Sequence, residues 1–206
     1  ELNNPLAVIS GRAQLLMDEE EDKKKKKMLR QIQQRTEDMY GIVHELMAFA
    51  RPNEPEKQPM AVSELIQKAL DAAAKTCPGK TPAPDVVGAE AAGSVYVDVH
   101  QTTQALQQII ANALASYAEA SAPVRIECTA NEDNHAVVTI RDFGCGMDDQ
   151  TLRKATQPFF SYRPAGRRRG MGLALAQRWL GLNDGALQLA SEPDMGTTVT
   201  VTLPKV

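Results

Sequence analysis

At 206 residues, 43% hydrophobic and 24% charged, the chain has room for one ordinary domain plus a smaller element and is not a disordered polypeptide. Its net charge of −3 argues against nucleic acid as a partner, and no apolar run approaches the roughly 20 residues a membrane helix needs. Three scattered cysteines (Cys77, Cys128, Cys145) form no metal spacing and leave an odd thiol, which favours a reducing, cytoplasmic compartment. No signal peptide opens the chain, and with Glu1 in place of an initiator Met the expectation is a fragment of a longer protein.

Leu2, Leu6, Ile9, Ala13 and Leu16 alternate steps of four and three, which predicts a helix with a heptad seam. The charged segment from Asp18 to Lys27 reads as a solvated turn running into a second helix. The seam resumes with Met28, Ile32, Met39, Ile42, Leu46 and Phe49, with Arg35 in the intervening slot. Two helices joined this way form a hairpin whose apolar seam it cannot cover alone, so a homodimeric four-helix bundle is expected. Pro5 either lies in a tolerant first turn or kinks a helix that began earlier, beside Glu1, Asn3 and Asn4. Pro52, Pro55 and Pro59 then mark a linker over 52–59 and a domain boundary, with 1–51 before it and 60–206 after it.

Beyond the linker, Val62 to Ala74 is expected as a helix with Ser63 as its cap, followed by a Pro/Gly-rich loop from Cys77 to Pro84. Short strands are predicted at Asp85–Val87 and Val95–Val97, then a long amphipathic helix from Asp98 to Ala118. Asn112 in that helix is either a satisfied amide or an oxygen ligand for metal or phosphate. Strands at Val124–Thr129 and Ala136–Arg141 lead into Asp142-Phe143-Gly144-Cys145-Gly146-Met147. Taken alone that stretch is a glycine-rich turn or a backbone that approaches a flat ligand, with Asp142 able to accept from an exocyclic amine.

Phe159-Phe160 beside the arginine-rich segment Ser161 to Arg169 is either a surface loop or a flap with a hydrophobic foot. Gly166 to Leu173 opens an apolar helix whose N-terminal N–H groups, with three arginines, suit a polyphosphate. This is neither the Gly-x-Gly-x-x-Gly nor the P-loop pattern. Strands at Ala186–Ala190 and Thr197–Leu203, joined by a turn with Gly196, close the chain.

In this order the pieces resemble the sensor histidine kinase family of two-component systems. Asn112 matches that family's asparagine box, Asp142-x-Gly144-x-Gly146 its first glycine box, Phe159-Phe160 its phenylalanine box, Gly170-Met171-Gly172-Leu173 its second glycine box, and Gly196-Thr197-Thr198 its closing one. The resemblance covers nearly the whole chain and implies an α+β protein: a dimerisation and phosphotransfer hairpin, then an α/β sandwich with a mixed sheet and helices on one face. It implies ATP and Mg²⁺ as cofactors, with Asp142 reading the adenine amine and Asn112 ligating Mg²⁺. Gly144 and Gly146 would make room for the base, and Gly170 and Gly172 would cradle phosphate. By the same resemblance Phe159, Phe160, Arg169, Met171, Leu173 and Thr198 line the nucleotide site. Glu1 matches the acidic residue beside the phosphoacceptor histidine, a base for its imidazole, and Asn4 the position that orients water for dephosphorylation.

The activity implied is transfer of the ATP γ-phosphate to a histidine and then to an aspartate of a response-regulator receiver domain, together with dephosphorylation of that regulator. The histidine is expected one residue before Glu1, because His44, His100 and His135 do not fit the box. Where the family often has lysine or tyrosine, this chain has Ala115 and Ser116, with Tyr117 one step on. Two rival activities share such a fold. Gyrase- and chaperone-type ATPases use a glutamate four residues before the asparagine, where this chain has Gln108, an amide that cannot act as a general base. A nucleotide-binding scaffold that only recruits a regulator is the other.

Overall fold

The heptad spacing of the first fifty residues produces two helices, α1 (Asn3–Glu19) and α2 (Lys23–Ala50). The computed structural model describes residues 3–76, 83–117, 122–161 and 169–206, and it divides into the units Glu1–Pro52 and Asn53–Val206. In the first unit the charged segment splits between the end of α1, a turn at 20–22 and the opening of α2. Five lysines at a helix N-terminus oppose the macrodipole. Asp22 offsets this as the cap, its carboxylate accepting from the backbone N–H of Lys24 (2.7 Å) and Lys25 (3.4 Å).

Only part of the seam is used within the hairpin. Leu6, Ala13 and Thr36 are buried, the last returning its hydroxyl proton to Ile32 O at 2.9 Å. Ile9, Leu16, Met28, Ile32, Met39, Ile42 and Leu46 all remain exposed.

The second unit begins with polar contacts and a strand. β1 (Gln58–Ala61) pairs antiparallel with β3 (Ser94–Val97), so the final residues of the expected linker, Gln58 and Pro59, are strand. A two-stranded ribbon has an open edge and tolerates a proline there. β1 runs straight into α3 (Val62–Thr76), where Val62 N–H donates to Gly93 O at 3.0 Å. Ser63 is therefore the second helical residue and not the cap. After β2 (Asp85–Val87), α4 (Val99–Leu114) is capped by Asp98, whose carboxylate accepts from Gln101 N–H at 2.9 Å. The helix stops short of the expected Ala118, which lies outside the described residues; Ala115 caps it, and Ser116 and Tyr117 are turned to other partners.

β4 (Arg125–Ala130) and β5 (His135–Arg141) form a hairpin, and α5 (Asp149–Leu152) and α6 (Gly172–Leu182) precede the final pair β6 (Ala186–Glu192) and β7 (Gly196–Pro204). The main sheet has the order β2-β4-β5-β7-β6, with β2 parallel to β4 and every other pair antiparallel. Its strands alternate as a one-sided sheet must. Ile126, Cys128, Ala136, Val138, Ile140, Val199, Val201 and Leu203 are buried, while their neighbours are largely half-buried or exposed. The buried face meets the apolar stripes of the helices, among them Leu65, Ile66, Leu106, Ile109, Ile110, Leu175 and Leu180, with α4 between α3 and α6. This is the expected mixed sheet with helices on one face.

Candidate functional site

Asp142 follows directly on β5 and is 4% exposed. Three donors converge on one of its carboxylate oxygens, Oδ1: Ser116 Oγ at 2.9 Å, Gly144 N–H at 2.9 Å and Thr197 N–H at 3.3 Å. Its own N–H donates to Thr197 O at 2.9 Å, which ties the strand end to the start of β7. Among the described residues no hydrogen bond reaches Oδ2. An acceptor with donors loaded on one side is left to receive a donor on the other.

The glycines of the motif have reasons within the protein itself. A Cβ on Gly144 would stand 2.5 Å from Ser116 Cβ and 2.7 Å from its carbonyl oxygen. Gly146 has φ +60°, and a Cβ there would collide with Glu192 O. At both positions a Cβ would meet the chain's own atoms, so the packing of the loop by itself calls for glycine.

Gln108, Asn112 and Ser116 are spaced by four and share one face of α4 and its terminal turn. That face runs roughly 12 Å at 1.5 Å per residue. At its Asp142 end stands Ser116. At the other end a Cβ on Gly172 would come within 2.8 Å of Gln108 Oε1 and 3.7 Å of Asn112 Nδ2, so glycine lets the N-terminus of α6 press against both amides. Among the described residues Met171 occupies the cap position of α6 without a side-chain cap bond, the kind of helix start whose first N–H groups suit an outside acceptor. Met171 itself is buried, so only its backbone can face a ligand, whereas Arg169 and Leu173 are half-buried.

Phe159 is exposed with a left-handed φ of +64°, and a Cβ on Gly170 would meet the carbonyl oxygen of Phe160 at 2.5 Å. The flap expected between them lies, over 162–168 and including Arg167 and Arg168, outside the described residues. Glu1 lies outside them as well. Asn4 is on the exposed surface of α1.

Three participants escaped the sequence reading. Thr197 gives its N–H to Asp142, and Thr198 sits opposite Arg141 in the β5–β7 register. Ser116 bonds Asp142 directly. Tyr117 OH accepts from Phe143 N–H at 3.0 Å. Burial holds the Tyr117 phenol above its ordinary pKa, with the Phe143 bond opposing and the negative charge of Asp142 adding. The Ser116 signal was its four-residue step from Asn112.

Among the described residues no cluster of three or more His, Cys, Asp or Glu could hold a metal. No helix among them is long and apolar enough to cross a membrane.

Comparison with known proteins agrees with this geometry. Residues 97–206 match the family model described as histidine kinase-, DNA gyrase B-, and HSP90-like ATPase, and residues 1–55 match the His Kinase A (phospho-acceptor) domain. The signal transduction histidine-protein kinase AtoS of Escherichia coli strain K12 is 28% identical over 206 residues, covering 99% of this chain and 33% of its own length. The C4-dicarboxylate transport sensor protein DctB of Pseudomonas aeruginosa is 30% identical over 214 residues, covering 98% of this chain and 34% of its own. The chain therefore spans about a third of the curated relatives it matches. Full-length ShkA, crystallised with AMPPNP, shares the fold at TM-score 0.81 and 17% identity over 98% of this chain and 43% of its own. The chain belongs to the histidine kinase-, DNA gyrase B- and HSP90-like ATPase family, on its sensor histidine kinase branch.

Proposed function

We propose that the chain is the catalytic core of a sensor histidine kinase, in which Asn53–Val206 binds ATP and Glu1–Pro52 is the dimerising phosphotransfer hairpin. The observation that carries this reading is the α4 face with Asp142 at one end and the Gln108–Asn112–Gly172 cluster at the other. It offers an acceptor for an amine and, about two helical turns away, helix N-terminal N–H groups and amides for phosphate. Mg²⁺, when bound, would neutralise charge on the phosphates of ATP. Asn112 fits it with a hard amide oxygen, as octahedral magnesium shared with phosphates requires. Asp142 Oδ2 accepts from the adenine amine, and the N-terminus of α6 with Arg169 holds phosphate oxygens.

Gln108 carries no ionisable group, so nothing at that position activates water, and ATP is kept for transfer. The acceptor is the imidazole expected upstream of Glu1. Its nitrogen forms a bond to the γ-phosphorus as the bond to the ADP oxygen breaks, and its proton passes to the Glu1 carboxylate. The phosphoryl group then moves to an aspartate of a receiver domain docked on the hairpin near Asn4. The Asn4 amide orients a water for later hydrolysis. The exposed seam of Ile9, Leu16, Met28, Ile32, Met39, Ile42 and Leu46 supports a homodimer through the hairpin, because a second copy can bury it.

Incubation with γ-labelled ATP and Mg²⁺ tests this, comparing the chain with one extended upstream of Glu1. Acid-labile, base-stable label on the extended form alone is the expected result. Steady phosphate release with no labelled protein would instead favour an ATPase, and nucleotide binding without either would favour a scaffold.

A further inference from the structure

We propose that Ser116 is a positioning residue that sets nucleotide selectivity, by fixing Asp142 so that its free oxygen meets a hydrogen-bond donor on the base. The proposal rests on the reading of the site as one for an adenine nucleotide. Of the three donors on Asp142 Oδ1, two are backbone N–H groups from Gly144 and Thr197. Ser116 is the side-chain donor, and it arrives from a different element, the end of α4. Its hydroxyl also lies 2.7 Å from Ala113 O, yet it has one proton to give. An ionised carboxylate is the stronger acceptor, so the proton goes to Asp142.

The rest of this helix end grips the same loop. Cys145 N–H reaches Ser116 O at 3.5 Å and Phe143 N–H reaches Tyr117 OH at 3.0 Å. Gly144 is pressed so closely on Ser116 that no Cβ fits between them. Residues 142–145 are thus held over their whole length by Ser116 and Tyr117, the two residues at the end of α4 that the family's usual lysine or tyrosine does not explain.

The consequence is directional. With Oδ1 loaded by three donors, the carboxylate cannot turn to share its oxygens, and Oδ2 stays aimed as a pure acceptor. Such an atom accepts from the amine of adenine and repels the carbonyl oxygen that hypoxanthine carries in the same place. Without Ser116 the carboxylate regains freedom to turn, and the distinction between the two bases weakens before binding itself is lost.

The test is a titration of the chain with ATP and with inosine triphosphate, for wild type, Ser116→Ala and Ser116→Cys, with unfolding midpoints recorded for each. Wild type should prefer ATP. Ser116→Ala should narrow that preference about fivefold, the equivalent of one hydrogen bond of about 1 kcal/mol. Ser116→Cys, a weaker donor of similar shape, should fall between, and it carries the test if the alanine variant fails to fold. A variant that weakens both nucleotides equally, or changes neither, would show that Ser116 only packs the loop and would overturn the proposal. If wild type itself binds the two alike, base reading by Asp142 falls; if it binds neither, the nucleotide site falls with it.

Discussion

Gly196 lies back to back with Asp142: a Cβ on the glycine would collide with the Asp142 carbonyl oxygen and stand 2.8 Å from Phe143 Cα. The contact is what brings Thr197 N–H to the Asp142 carboxylate. Gly196 also has φ +82°, where a side chain costs about 1–2 kcal/mol before any collision. Gly196→Ala should therefore lower stability by about 2–3 kcal/mol in denaturant unfolding and weaken ATP binding in the fraction that folds. An unchanged midpoint would mean that β7 can start elsewhere.

Asp142→Asn separates recognition from folding. Its side-chain oxygen can still accept from Ser116, Gly144 and Thr197, so the loop should keep its shape and the unfolding midpoint should move by less than about 1 kcal/mol. That orientation places the new NH₂ group where Oδ2 stood, donor against donor for an adenine amine. ATP affinity should fall at least about tenfold by titration, a loss of about 1.4 kcal/mol or more. Retained affinity would remove Asp142 from the base site.

These two residues also show where the sequence was readable. The apolar, β-branched run Val137–Ile140 and the Asp142 glycine motif are local patterns, and they placed β5 and the carboxylate at its end correctly. The errors came from contacts between distant residues. Ser63 has the chemistry of a cap, but Val62 N–H is satisfied by Gly93, thirty-one positions away, so the helix needs no serine there. The Asp98 helix was drawn four residues too long because Ser116 and Tyr117 are claimed by a loop some 26 residues later, which no helical periodicity records. The role of Thr197 is hidden in the same way, because its N–H reaches Asp142 only through the pairing of β7 with β5. On a strand, one step exchanges the faces, and only the register against β5 decides which threonine meets Asp142.

Gln108→Glu would test why ATP is kept for transfer. The side chain stands beside Gly172, one turn before Asn112 on the same face of α4. A carboxylate there gains the basicity that an amide lacks, and a positioned base contributes on the order of a hundredfold at the low end. Steady phosphate release should rise by about that factor in a coupled assay, with ATP affinity changed by less than about tenfold. If release stays at the wild-type level, Gln108 is not placed to act on water.

Cys128 links the sheet to alkaline pH. Its burial in the apolar core raises the thiol from 9.0 to about 11. The folded state then holds its proton more tightly than the unfolded state does. Stability from this group is complete below about pH 9 and declines as pH rises through 9 to 11. At about 1.4 kcal/mol per unit, the decline approaches 2–3 kcal/mol at the upper end. Unfolding midpoints against pH should show this slope, and Cys128→Val should flatten it. The same burial should keep Cys128 unreactive toward iodoacetamide at pH 8 while exposed Cys145 is modified, as mass spectrometry would register.

The last prediction concerns the side of the second unit where segment 53–57 meets α4 and α6. Asn183, fully buried after α6, uses its whole amide: Oδ1 accepts from Asp98 N–H at 2.6 Å, and Nδ2 donates to Gln101 Oε1 at 3.0 Å and Trp179 O at 2.9 Å. Gln101 passes the chain on by donating to Asn53 O at 2.9 Å, and Asp98 Oδ2 accepts from Glu56 N–H at 2.9 Å. Lys57 adds an ion pair with Asp184. Segment 53–57 is thereby tied to the N-terminus of α4 and the C-terminus of α6, the two helices whose other ends form the site. Asn183→Ala would leave the half-buried Asp98 N–H and the Gln101 Oε1 without partners, at about 1–3 kcal/mol for each group stranded. Stability should fall by about 2–4 kcal/mol in denaturant unfolding. Hydrogen exchange should quicken at Glu56 and through the first turn of α4, ahead of the core strands. Exchange that quickens uniformly across the unit would mean that Asn183 serves general packing and holds no local tie.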